Sequence, residues 1–206
     1  MAPAHEPSNL NIANALTVLR IAGVPLFGWL LLTHDGESIG FRVAAWVAFG
    51  LLMITDRIDG DLARKYDLVT DFGKLADPIA DKALTGMAFV GLAIIFNDES
   101  FGWLFWTITI VVLVREWGIT VMRFFIKKYD VMPASQGGKI KTTLQAFAIG
   151  GFVLPLEIWN NPFTDLLLFV TWILMAGAVA VTVVTGAMYV RDARVIRRDA
   201  RASAPS

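Results

Sequence analysis

A chain of 206 residues that is 56% hydrophobic, with a mean hydropathy of +0.60, is too apolar for an ordinary soluble domain and too long for a single anchor. Lys and Arg (18) balance Asp and Glu (18), so no excess positive charge points to a nucleic-acid partner. Cysteine is absent, which excludes a disulfide framework and thiolate metal sites, and His5 and His34 lie far from any cluster, so zinc is not expected and oxygen atoms are the plentiful ligands.

The apolar runs are continuous rather than alternating, which predicts an all-α polytopic membrane protein with six transmembrane helices, not a β-barrel. Residues 1–8, MAPAHEPS, read as disordered, and no cleavable leader is expected because the first apolar run carries Arg20. Next, SNLNIANALTVLR predicts a short N-terminal interfacial helix capped by Ser8 or Asn9, with Leu10, Ala13 and Leu16 or Thr17 towards lipid. Six spans are predicted at Leu16–Thr33, Phe41–Ala63, Pro78–Phe96, Phe101–Phe125, Lys141–Leu156 and Pro162–Val190. Pro162 suits a helix start. The loops THDGES, NDES and EIWNNP hold no Lys or Arg, and only Arg42 lies near that side. The other side collects Arg57, Arg64, Lys65, Lys74, Arg123, Lys127, Lys128, Lys139, Lys141 and the arginines from Arg191 to Arg198. Both termini are therefore expected in the cytoplasm. The charged tail, including residues 199–206, is expected to fray, and residues 1–206 read as a single membrane domain.

Between the second and third spans lies TDRIDGDLARKYDLVTDFGKLADPIADK, crowded with acids inside a greasy chain. Asp56, Asp59, Gly60 and Ala63 follow i, i+3, i+4, i+7 and share one helix face; Gly73, Asp77 and Asp81 follow i, i+4, i+8, with Gly73 either helical or in the preceding loop. Consecutive spans joined by a short connection pack antiparallel, so the two faces can meet. Depth agrees: Arg42 to Asp56 is 14 residues and Phe96 back to Asp81 is 15, or ~21–22 Å of helix in each case, so both pairs stop at the same level near the inner edge of the bilayer. An ionised Asp near a helix centre costs about 2.5–3.5 kcal/mol, less near an interface, and clustered like charges add repulsion. Divalent cations with oxygen ligands answer both problems, Mg²⁺ or Mn²⁺ where phosphate oxygens are also engaged, and four carboxylates can bridge two such ions. Solvated residues at a helix end is the ordinary alternative; it covers Asp61, Asp67 and Asp71 better than these four. Gly60, Ala63 and Gly73 would leave room for a ligand on that face or simply allow close helix packing.

Cations flank the acids. Arg64 follows Ala63; Arg115 and Glu116 sit inside the fourth span, where they can pair; Arg123 is two turns beyond Arg115; and SQGGKIKTT brings Gly137, Gly138, Lys139 and Lys141 to the fifth span. Buried arginines suggest a phosphate-bearing ligand, and divalent metal beside cations at the inner face suggests phosphoryl-type transfer to or from a lipid. Topology alone is the competing explanation of the basic segment.

DRIDGDLAR, then eight residues to GKLADPIAD, resembles the signature D-x-x-D-G-x-x-A-R-x8-G-x-x-x-D-x-x-x-D of the CDP-alcohol phosphotransferase family, with all eight fixed positions present at Asp56, Asp59, Gly60, Ala63, Arg64, Gly73, Asp77 and Asp81. The resemblance implies two divalent cations, Mg²⁺ or Mn²⁺, on Asp56, Asp59, Asp77 and Asp81, with Asp81 also the general base. It implies CDP-diacylglycerol bound by Gly60, Ala63, Arg64 and Gly73, and a homodimer. NALTVLRIAGVPLF, REWGITVMR and ASQGGKIKT are most similar to family members whose acceptor is glycerol 3-phosphate. For the acceptor's phosphate the candidates are Arg115, Arg123, Lys139 and Lys141, and Thr17 and Arg20 are candidates for the headgroup cavity, with snorkelling the competing account of Arg20. The rivals are the same chemistry on phosphatidylglycerol, serine or inositol phosphate, and, from a different class, a divalent-cation transporter.

Overall fold

The computed structural model describes residues 11–66, 68, 70–126, 136–159 and 161–202. Six α-helices follow one another: α1 (Ile12–Leu32), α2 (Ile39–Lys65), α3 (Asp71–Ile95), α4 (Gly102–Ile126), α5 (Gln136–Val153) and α6 (Pro162–Ala202). No strand occurs among the described residues. Five of these helices, α1, α2, α3, α4 and α6, are long and apolar enough to cross a membrane. The fifth helix is not, because its first half, QGGKIKTTLQ, is polar, and it stops at Val153 because Pro155 cannot extend a helix.

Several boundaries differ from the sequence expectation, including both ends of α5, which runs from Gln136 to Val153 rather than from Lys141 to Leu156. Asn11, not Ser8 or Asn9, caps the first helix, its side chain accepting the Asn14 N–H at 2.9 Å, and α1 then runs on without an interfacial break. Ala13 and Thr17, expected towards lipid, are buried inside the bundle. Ser8, Asn9, Leu10 and the expected disorder of residues 1–8 lie outside the described residues. On the third helix, the Thr70 hydroxyl accepts the Gly73 N–H at 3.1 Å, so α3 begins at Asp71 rather than Pro78 and Gly73 is helical. Pro78 is carried within it. At the other end of the chain α6 takes in the basic tail, 41 residues or ~61 Å, twice the thickness of a hydrocarbon layer.

The packing order decides the site. α2 and α3 barely touch; α1 lies between them and packs along both. Glycines permit this closeness: a Cβ on Gly28 would fall 2.6 Å from Met87 Sδ, and one on Gly91 2.6 Å from a Leu31 methyl. α6 packs on α5 and α4. At the end away from the aspartates, Phe96, Phe105, Phe152 and Trp172 knit α3 to α6, with ring centroids 4.7–5.0 Å apart along the series. There Arg42, 1% exposed, donates to the carbonyls of Val153 (2.9 Å), Phe152 (2.7 Å) and Gly36 (3.2 Å) and to Glu157 Oε1 (2.9 Å). It thereby satisfies the orphan carbonyls where α5 ends, which explains an arginine on a side otherwise without basic residues.

Candidate functional site

The acid faces of α2 and α3 meet through α1 rather than by packing on each other. Asn14, Thr17 and Arg20 form one buried stripe along α1. The guanidinium of Arg20, wholly buried, donates through Nη1 to Asp56 Oδ1 and through Nη2 to Asp59 Oδ2. Thr17 Oγ1 donates to Asp77 Oδ1 at 2.8 Å. Asn14 Nδ2 donates to Thr70 Oγ1 at 2.8 Å and so holds the cap of α3. Asp56 stands within electrostatic reach of Asp59, Asp77 and Asp81, so the four carboxylates form one electrostatic unit. Among the described residues no three of them already close on a single point, Arg20 lying between Asp56 and Asp59. All four nevertheless offer hard anionic oxygens, and their charge is already answered by a buried cation. The oxygen donors suit Mg²⁺ or Mn²⁺, which would compete with Arg20 at Asp56 and Asp59.

The carboxylates separate two recesses. On the α1 side, Asp59 and Asp77 face a cavity of about 210 Å³ that is also lined by Gly60, Ala63, Gly73 and Thr17. Its small residues sit where the sequence placed them. At Gly73 close packing is part of the reason, since a Cβ would stand 3.0 Å from Asn14 Oδ1. On the other side, Asp81 faces a narrow recess shared with Thr85 of α3, Glu116 of α4, and Lys141 and Gln145 of α5, with Phe49 and Met53 of α2 as its apolar wall.

The expected cations separate as well. Lys141 is buried in this second recess and pairs with Glu116. Lys139 is exposed. Arg115 turns towards α6, donating to Glu116 Oε1 at 2.8 Å and Thr185 Oγ1 at 2.9 Å, with its guanidinium 5.8 Å from the Tyr189 ring centre; it does not line the Asp81 recess. The side chains of Arg64 and Arg123 lie outside the described residues, as does that of Gly137's neighbour Gln136. Sequence reasoning missed Asn14, Thr70 and Gln145. For Gln145 the signal was present: a polar residue four positions after Lys141, hence on the same face, in a helix that is otherwise turning apolar.

Comparison with known proteins places this arrangement in context. A family model described as CDP-alcohol phosphatidyltransferase matches residues 10–184. A probable phosphatidylglycerophosphate synthase of Mycobacterium tuberculosis is 46% identical over 187 residues, covering 91% of this chain and 82% of the relative. The CDP-diacylglycerol–glycerol-3-phosphate 3-phosphatidyltransferases of Bacillus subtilis and Rickettsia bellii are each 36% identical, covering 87% of this chain and 93% of the relative.

Proposed function

Because the chain belongs to the CDP-alcohol phosphatidyltransferase family, we propose that it transfers the phosphatidyl group of CDP-diacylglycerol to glycerol 3-phosphate, giving phosphatidylglycerophosphate and CMP. The observation that carries this reading is the pair of recesses divided by one set of carboxylates: small residues on one side, a carboxylate beside a buried lysine on the other.

Gly60, Ala63 and Gly73 leave the α1-side cavity open for the CDP part of the donor, with Arg64 beside them in sequence. Asp56, Asp59, Asp77 and Asp81 are the residues that would hold two divalent cations, Mg²⁺ or Mn²⁺, which supply charge neutralisation for the pyrophosphate. Asp81 faces the acceptor recess and takes the proton from the attacking hydroxyl of glycerol 3-phosphate. That oxygen bonds to the phosphorus bearing the diacylglycerol, the bond from this phosphorus to the bridging oxygen breaks, and CMP leaves with the electron pair. Lys141 binds the acceptor's own phosphate, exchanging Glu116 for it; Lys139 and Arg123 add positive charge to the approach, and Arg115 holds Glu116 from behind. Thr17 and Arg20 orient Asp77, Asp56 and Asp59, and Thr17 also lines the α1-side cavity.

In this reading α5 is the sixth span, its polar half lining the recess rather than facing lipid. Both termini and the site face the cytoplasm in this reading, which the Lys and Arg distribution supports. The family resemblance supports a homodimer as the working unit. An ion-transport role is disfavoured because the opposite half of the core is filled with Phe27, Phe89, Phe96, Phe105 and Phe152 and holds no buried carboxylate among the described residues. The test is CMP release by the purified protein in vesicles containing CDP-diacylglycerol. Glycerol 3-phosphate should support it, whereas serine, inositol phosphate and phosphatidylglycerol should not; the reverse pattern reassigns the acceptor.

A further inference from the structure

The acceptor recess contains a group that the reaction as described does not use. Gln145 is 4% exposed, and its Nε2 has no hydrogen-bond partner among the described residues. A buried amide donor left unpaired is costly, so such a group calls for an occupant that can accept from it. It lies one turn, ~6 Å, deeper along α5 than Lys141, on the same face and in the same recess as Asp81. The free space in that recess is about 20 Å³, room for a single water. An acceptor therefore enters by displacing contacts, and the contact it can replace like for like is the Glu116–Lys141 ion pair, with a phosphate as the new partner of Lys141. Asp81 claims the attacking hydroxyl. The recess is also lined by Lys82, Thr85 and Thr142 and by the apolar Phe49, Met53, Ala146 and Ile149; Lys82 and Thr142 donate to carbonyls of their own helices, whereas Gln145 Nε2 is a buried donor without a partner among the described residues.

We propose that Gln145 donates a hydrogen bond to the middle hydroxyl of a glycerol-phosphate acceptor and so makes the site specific for a polyol phosphate over a plain hydroxyalkyl phosphate. The inference rests on the acceptor reading given above and sharpens it: Lys141 takes the phosphate, Asp81 the hydroxyl that attacks, and Gln145 the hydroxyl between them. A site built to bond a hydroxyl discriminates strongly against the analogue that lacks it, because its own polar group is then stranded.

The probe is 3-hydroxypropyl phosphate, which is glycerol 3-phosphate without the middle hydroxyl. Steady-state CMP release by the wild-type protein in vesicles should favour glycerol 3-phosphate in kcat/KM by about 100-fold or more, and Gln145→Met, of similar volume, should shrink that preference to about 10-fold or less. The variant should lose activity on glycerol 3-phosphate while keeping that on the analogue, whereas a merely structural role lowers both alike and leaves the ratio unchanged. An unchanged ratio overturns the assignment. So does a wild-type enzyme that turns over both acceptors equally, which decides the matter even if the variant fails to fold. Absence of any turnover with glycerol 3-phosphate instead overturns the acceptor reading, and the Gln145 assignment with it.

Discussion

Arg20→Gln tests whether the buried guanidinium is the resident counter-ion of the carboxylate site. Arg20 is wholly buried and bridges Asp56, whose side chain is 40% exposed, and Asp59, which is 4% exposed. Removing one partner of a buried pair costs about 3–5 kcal/mol, and that figure applies to Asp59. The share from Asp56 is screened by solvent and adds about 0–1 kcal/mol. For a chain of this size each kcal/mol moves Tm by about 2–4 °C, so the variant should melt roughly 10 °C lower in chelator. Mg²⁺ at a hundred times its Kd restores about 2.7 kcal/mol. It should restore more to the variant than to the wild type, where the cation has to compete with Arg20 for the same oxygens. The assay is thermal unfolding in detergent followed by tryptophan fluorescence, for which the chain carries 7 Trp, with EDTA or with Mg²⁺. Equal melting of the two proteins in EDTA, or an equal Mg²⁺ shift, would refute the reasoning.

Further outcomes follow from the same geometry. Asp81→Asn should lower kcat by at least about 10²–10⁴-fold while CDP-diacylglycerol binding, measured with labelled donor, stays within a few-fold of wild type; normal turnover removes Asp81 from the role of base. Lys141→Ala should raise KM for glycerol 3-phosphate more than tenfold with little change for the lipid donor, whereas exposed Lys139→Ala should change either by less than about twofold; equal effects on both substrates would assign Lys141 to general electrostatics. Arg42→Met strands Glu157, two carbonyls at the end of α5 and the Gly36 carbonyl between α1 and α2, so Tm should fall by about 10 °C, corresponding to 3–5 kcal/mol. Low-temperature kcat should survive, because Arg42 and Asp56 are 14 residues, ~21 Å of helix, apart.

The carboxylate set was legible because its information is local. The spacing of Asp56, Asp59, Asp77 and Asp81 fixes which helix face each occupies, and distance along the helix fixes depth. The order of packing was not legible. Nothing in the α2–α3 segment announces that α1 lies between those helices, so Arg20 read as a candidate for the headgroup cavity, with snorkelling as the alternative, and its bridge between Asp56 and Asp59 went unseen. Arg42 gives the same lesson at the other end, since its purpose depends on carbonyls more than a hundred residues away. Arg115 was misplaced because helical periodicity gives its phase relative to Arg123 but not the partner helix, and that partner is α6. The end of α5 was overestimated by three residues although Pro155 stood in the sequence to mark it.

The central claim is that the carboxylates of α2 and α3, drawn together by α1, hold divalent metal. Electron paramagnetic resonance titration of Mn²⁺ into the purified, metal-stripped protein measures this without relying on turnover. The account predicts two bound Mn²⁺ per chain, close enough for their spins to couple, with binding lost when Asp59 and Asp77 are both changed to Asn. Tight Mn²⁺ binding that survives the double substitution, or no tight binding by the wild-type chain, would contradict it.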